Sequence, residues 1–186
     1  MNAFRLILIG FATLFIAYFT VCIFSPARVA ISQTRVINEP IDEVYANISD
    51  LDSWTQWHQW FRELDSGQYV ITSIDSTGSQ LEWFSQNGKG GKLLLTQTEP
   101  HTVINTTIAY EKDQYEPSTK GEFLLEAQGK RTKVSWVFVG REYPFFLSPA
   151  TLIWKELLND NYETGLINLA AYCEGRPIPK APGPGR

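Results

Sequence analysis

The side chains able to do acid–base or nucleophilic work are few in this chain, and they are scattered. His58 and His101 are the only histidines, and neither has an acidic or thiol cluster beside it. A zinc site needs such ligands grouped. Cys22 lies inside an apolar N-terminal run and Cys173 near the C-terminus, a placement that does not suggest a pair. Glu82, Glu163 and His58 are the acid–base candidates. No nucleophile stands beside a base at a spacing that would activate it. Gly88-Lys89-Gly90-Gly91 has the look of a phosphate loop, but no helix follows it, so it reads as a hairpin turn. No catalytic residue, metal ligand or cofactor is assigned.

What the chain has in quantity is rings. It carries six Trp, eight Tyr and eleven Phe, with 44% of its 186 residues hydrophobic. These need either a large core or a hollow to line. The net charge of −4 lacks the basic stripe of a nucleic-acid binder. Trp54, Trp57 and Trp60 recur every three residues, suiting either a cavity rim, an interfacial anchor or plain core packing. Trp83, Phe123, Leu125, Trp136 and Phe138 alternate along strand-like segments, and alternate strand residues share a face. In the last helical segment Leu157 and Asn161 fall on the apolar stripe. A buried amide at Asn161 needs a partner: a ligand, a water or a neighbouring strand. Trp57, Trp83, Phe123, Leu125, Trp136, Phe138, Leu157 and Asn161 are therefore the expected lining of a ligand cavity, or the core if the domain is filled.

Those residues must be positioned by the elements between them. Residues 29–37 alternate around β-branched side chains and read as a strand. Pro40 opens a helix through Ile41, Val44, Tyr45 and Ile48, and a second short helix is expected over residues 53–61. The period then changes to two. Strands are expected over residues 68–75, 79–85, 92–99, 102–110, 121–127 and 132–140, parted by turn residues. Their short spacing implies antiparallel pairing. Ser148 as N-cap and Pro149 at the first position open a long helix that runs to about Glu174, where Gly175 stops it. Gly165 within it costs up to about 1 kcal/mol against Ala, which implies a close helix–sheet approach. One long helix on a seven-stranded antiparallel sheet leaves a space between them.

Leu6 to Phe24 is a 19-residue run without a charge, about long enough to span a hydrocarbon core. It is expected to be a retained anchor, since the apolar core of a cleaved signal is normally shorter, roughly 7–15 residues. Arg5 flanks one end and Arg28 and Arg35 the other. The positive-inside rule hardly decides between the orientations; an N-terminus in the cytoplasm, with the domain outside it, is the preferred of the two. Only Ser25 to Arg28 separates the run from the first strand, a tether of at most about 14 Å that holds the domain near the headgroups. Phe145 and Phe146, just before the long helix, either dip into the interface or cap the core.

Ile37-Asn38-Glu39-Pro40-Ile41-Asp42-Glu43-Val44-Tyr45 resembles the opening of polyketide cyclase/dehydrase-like proteins of the START (Bet v 1-like, SRPBCC) superfamily. Asp50, Trp54 and Trp57 match its Asp-and-tryptophan signature. Leu81-Glu82-Trp83, Gly91, Glu99-Pro100 and Thr132-Lys133-Val134-Ser135-Trp136 resemble its strands, and Gly165 to Leu169 with Glu174 its last helix. Ala170 stands where relatives often have lysine. The resemblance implies an α+β helix-grip fold: a curved seven-stranded antiparallel sheet wrapped around a long C-terminal helix, with a hydrophobic cavity beneath that helix, preceded here by one transmembrane helix. The expected organisation is an anchor over residues 1–27, the START-like domain over 28–174 and a disordered tail over 175–186. The expected function is a membrane-tethered binding protein, without cofactor, for a lipid, quinone or polyketide-like molecule; the alternative is a cyclase or dehydratase acting on an aromatic ligand. The expected partners are that hydrophobic small molecule and, through Leu6 to Phe24, a membrane, with no nucleic acid.

Overall fold

A computed structural model describes residues 3–62, 64, 68–75, 78–84, 90–111 and 117–179. The turns expected at residues 76–77 and 85–89, most of the polar stretch before residue 117, and residues 180–186 of the expected tail lie outside the described residues. The period-two segments become β1 (Arg28–Ile37), β2 (Tyr69–Asp75), β3 (Gly78–Trp83), β4 (Gly91–Glu99), β5 (Val103–Tyr110), β6 (Pro117–Gln128) and β7 (Arg131–Glu142). They pair antiparallel throughout, in the order β1-β7-β6-β5-β4-β3-β2. Every neighbour but one is consecutive in sequence; the exception brings β1 beside β7, with Gln33 opposite Trp136. Irregular steps in β1, β2, β4 and β5 bend the strands, as bulges do.

Alternation puts one face of the sheet inward. Thr132, Val134, Trp136 and Phe138 of β7 are buried, as are Phe123 and Leu125 of β6, Ile104 of β5, Leu93 and Leu95 of β4 and Leu81 of β3. Against that face pack α2 (Ile41–Ser49), α3 (Leu51–Trp57) and the C-terminal half of α4 (Ala150–Cys173). Each fully buried large apolar side chain contributes roughly 1.5–3 kcal/mol, so the inward face is the main source of stability. The result is an α+β helix-grip fold, with α1 (Ala3–Phe24) preceding it. This helix is long and apolar enough to cross a membrane.

Two helix boundaries differ from expectation. The second short helix was expected over residues 53–61, but α3 begins at Leu51 because the Asp50 carboxylate accepts the Asp52 N–H at 3.0 Å. It ends at Trp57 because His58 turns to extended backbone. Ser148 was expected to cap α4. Its hydroxyl instead donates to the Phe145 carbonyl at 2.7 Å and lies 3.2 Å from the Cys22 carbonyl, so it closes the 3-10 turn Phe145–Leu147 and leaves α4 without a side-chain cap. At the other end Gly175 takes φ +62°, the left-handed stop that glycine supplies. The Glu174 carboxylate accepts the Asn38 backbone N–H at 2.8 Å and its side-chain amide at 2.9 Å. These bonds pin the end of α4 to the end of β1.

Candidate functional site

The two halves of α4 lead different lives. From Tyr162 onward it is seated on the sheet. Tyr162, Gly165, Leu166, Asn168 and Leu169 are buried, and the Tyr162 ring lies 4.1 Å from that of Trp136 and 5.4 Å from that of Phe138. Gly165 permits this closeness, because a Cβ there would stand 2.7 Å from Trp136 Cζ3. Six consecutive residues of the N-terminal half, 152–157, are exposed. Six residues cover every side of a helix of 3.6 per turn, so this stretch is raised from the sheet, between the buried Thr151 and the partly buried Leu158. Two amide pairs hold the junction: Gln33 Nε2 donates to Asn159 Oδ1 at 2.7 Å, and Gln59 Nε2 to Asn161 Oδ1 at 2.5 Å. The Asn161 amide thus finds its partner on the turn after α3.

Beneath the raised half lies a hollow of about 310 Å³ between Trp154 and Leu158 of α4, Trp60, and the sheet residues Val29, Ile108 and Phe138, with Tyr110, Thr119, Arg141 and Tyr143 as its polar groups. A second hollow of about 270 Å³, walled by Phe61, Leu64 and Trp83, meets the first at Trp60, Ile108 and Tyr110. The first is within the size range of small-molecule sites. The Arg141 guanidinium lies 5.9 Å from the centre of the Tyr143 ring, the geometry of a cation–π contact.

Of the eight residues expected at a cavity wall, Phe138 lines the first hollow and Trp83 the second. Trp57, Phe123, Leu125 and Trp136 line neither. Their rings and chains fill the core: Trp136 stacks on Phe123 with centroids 4.7 Å apart and meets Trp57 edge-on at 6.2 Å. Asn161 sits at the junction. Leu157 is half exposed on the raised half of α4. Trp60, third of the tryptophan series, leaves the face shared by Trp54 and Trp57 because α3 has ended, and it lines both hollows with Ile108 and Tyr110. Val29, Ile108, Tyr110, Arg141, Trp154 and Leu158 were not singled out by sequence reasoning. Only the apolar character of Trp154 and Leu158 beside the Tyr143–Leu147 segment could have pointed to them.

The acid–base candidates lie elsewhere. Glu82 faces Lys92 at 3.4 Å, partly exposed, and Glu163 is exposed. His58 is enclosed by Trp54, Trp57, Trp60, Phe61 and Trp136. Its Nδ1 has no hydrogen-bond partner among the described residues, and burial pushes its pKa down to about 3. It is therefore neutral over the physiological range. Burial also raises the Tyr162 phenol well above its ordinary value. None of the three candidates lines either hollow, and no group of three or more His, Cys, Asp or Glu side chains suited to a metal ion occurs among the described residues.

Residues 28–174 match the sequence pattern of the family described as polyketide cyclase / dehydrase and lipid transport. No curated protein sequence gives a significant match. Among solved structures the chain is similar to TTHA0849 from Thermus thermophilus (16% identity, TM-score 0.58, covering 78% of this chain and 97% of that one). It is similar to the Aha1 dimer from Colwellia psychrerythraea (19% identity, TM-score 0.55, 78% and 96%). It also resembles the di-domain ARO/CYC StfQ from the steffimycin biosynthetic pathway (11% identity, TM-score 0.59, 80% and 52%). At these identities the likeness is one of fold.

Proposed function

The chain belongs to the polyketide cyclase/dehydrase and lipid transport family, and from that premise we propose that it is a membrane-tethered binding protein for a hydrophobic or amphipathic small molecule. The ligand lies in the hollow between the sheet and the raised half of α4. The observation that carries this reading is the lining itself: Trp60, Trp154, Phe138, Val29, Ile108 and Leu158 make it mostly apolar, and Tyr110, Thr119, Arg141 and Tyr143 are the polar residues on it. An apolar body with one oxygen-bearing or anionic head satisfies both parts of that wall. The three acid–base candidates, Glu82, Glu163 and His58, line neither hollow, which favours binding over a cyclase or dehydratase step that uses one of them.

The test is native mass spectrometry of the full chain extracted in detergent, followed by organic extraction of whatever co-purifies. A discrete small molecule, retained by the wild type and lost from Trp60→Ala, is the expected result. Trp60 lines both hollows and, at 39% exposed, is less deeply packed than Trp54, Trp57 or Trp136. A protein that carries no small molecule and takes up none from extracted total lipid would overturn the reading.

A further inference from the structure

The raised half of α4 and the 3-10 turn before it carry large apolar side chains facing outward. Phe145, Phe146, Leu147, Leu152, Ile153, Trp154 and Leu157 are all exposed, Ile153 at 73%. Within residues 143–158 only Lys155 and Glu156 are charged. Contiguous apolar patches of this kind mark interaction sites. What covers this one is indicated by its attachment to α1. The Tyr18 hydroxyl donates to the Phe146 carbonyl, the Phe19 ring meets Phe145 edge-on at 5.2 Å, and just past α1 the Pro26 carbonyl lies 3.0 Å from the Thr151 hydroxyl. The turn therefore lies alongside α1, not beyond its end. Tyr18 is six residues short of Phe24, about 9 Å along the axis. Of α1, only Cys22 is buried by the domain. If the apolar length of α1 fills a hydrocarbon core of about 30 Å, the Phe145–Leu147 turn is carried into the same layer.

Part of the turn's backbone is already paired, which lowers the cost of entering a layer where unpaired polar groups are costly. Phe146 O accepts from Tyr18, Leu147 N–H donates to Pro144 O at 2.8 Å, and Ser148 N–H to Phe145 O at 3.2 Å. Lys155 can extend its ammonium back toward the headgroups. Trp154 and Leu158, on the same half-helix, also form the α4 wall of the larger hollow, with Tyr143 beside them.

We propose that the Phe145–Leu147 turn and the first two turns of α4 form a wedge that inserts into the bilayer spanned by α1. The mouth of the hollow, between Trp154, Leu158 and Tyr143, then opens at the boundary between acyl chains and headgroups. The ligand is a lipid of that bilayer, which enters laterally without crossing water. This rests on the cavity reading above and adds to it the source of the ligand and its route.

The test uses the full chain, with Cys22 and Cys173 replaced by Ala and Ser, reconstituted in dioleoylphosphatidylcholine vesicles. A bimane label is placed in turn at Phe146→Cys, Ile153→Cys and, as a control at the opposite end of β7, Lys130→Cys. Lipids brominated on their acyl chains should quench the first two labels several-fold more than the third, and aqueous iodide should do the reverse. Labels at 146 and 153 quenched by iodide as freely as the one at 130 would overturn the wedge. Labels shielded from both quenchers, with cross-linked dimers, would overturn it in favour of a second copy of the chain on this face. Ile153→Glu with Leu157→Glu alters only exposed side chains and so preserves the fold; it should render the label at 146 accessible to iodide and deplete the co-purifying lipid. A small molecule still bound to a protein whose wedge is water-exposed would leave the cavity standing and refute membrane access alone.

Discussion

At the scale of single residues, Trp136 is where the packing converges. Its ring meets Phe123, Tyr162, Trp57, Trp54 and His58, so Trp136→Ala should cost about 3–5 kcal/mol, read as a shift in urea midpoint. Gly165→Ala poses a contest between two effects. Alanine gains about 1 kcal/mol of helix propensity, but its Cβ would stand 2.7 Å from the Trp136 ring, and overpacking costs about 1–3 kcal/mol. The substitution should therefore destabilise, and a stabilised Gly165→Ala protein would show that the helix can lift from the sheet. His58 supplies a pH dependence. Its pKa falls from an ordinary 6.5 to about 3 on folding because the site is desolvated. Above pH 6.5 it is neutral in both states and has no effect. As the pH falls below 6.5 the unfolded chain takes up a proton that the folded chain refuses, so stability drops by up to about 1.4 kcal/mol per pH unit. His58→Phe should flatten the slope between about pH 5 and 6.5, the range in which histidine ordinarily titrates. Glu174, held below its ordinary value of 4.5 chiefly by the Asn38 N–H, acts in the same direction only in more acid solution. An unchanged slope in the variant would mean that His58 is not the group responsible.

At the scale of elements, α4 joins a packed half to a raised half through two amide pairs, Gln33–Asn159 and Gln59–Asn161. A net hydrogen bond is worth about 1 kcal/mol, roughly a fivefold change in a local opening equilibrium. Asn161→Ala should accordingly speed amide hydrogen exchange in residues 150–160 about fivefold, while the amides from Tyr162 to Cys173 keep their protection. Equal acceleration over the whole helix would show that α4 opens as one unit. Periodicity was a sound guide to these elements where a local cause set them: six of the seven strands, the helix after Pro40 and the stop at Gly175 stand close to their expected limits, whereas β6 begins at Pro117, four residues before the expected 121, because its start pairs with β5 across Ala109 and Ile108. The start of α3 and the missing cap of α4 were not legible. Asp50 and Ser148 are both good capping residues, but Ser148 is recruited by Phe145 and Cys22, the latter 126 positions away.

At the scale of the whole molecule, α1 buries one residue, Cys22, among those described, so it should have little part in the stability of the domain. A protein lacking residues 1–25 should keep a cooperative thermal transition in mild detergent, measured by near-ultraviolet circular dichroism. Without detergent it should sediment with phosphatidylcholine vesicles through the exposed apolar side chains of residues 145–157. Loss of the transition would show that the fold depends on α1. Read alone, the amino-acid sequence determined the order of the elements, their antiparallel pairing and the inward face of each strand, since these follow from periods of two and 3.6 and from turn residues within a few positions of one another. Which inward rings fill the domain and which line a space was left to the tertiary structure. Trp136 and Phe138 are successive inward residues of one strand, yet the first is sealed in a stack and the second borders the hollow. Leu157 and Gly165 share the apolar character of one helix, yet one is exposed and the other pressed against an indole. The difference is the distance at which α4 stands from the sheet at each turn, and that is set by contacts such as Gln33 to Asn159, 126 positions apart, which no local pattern records.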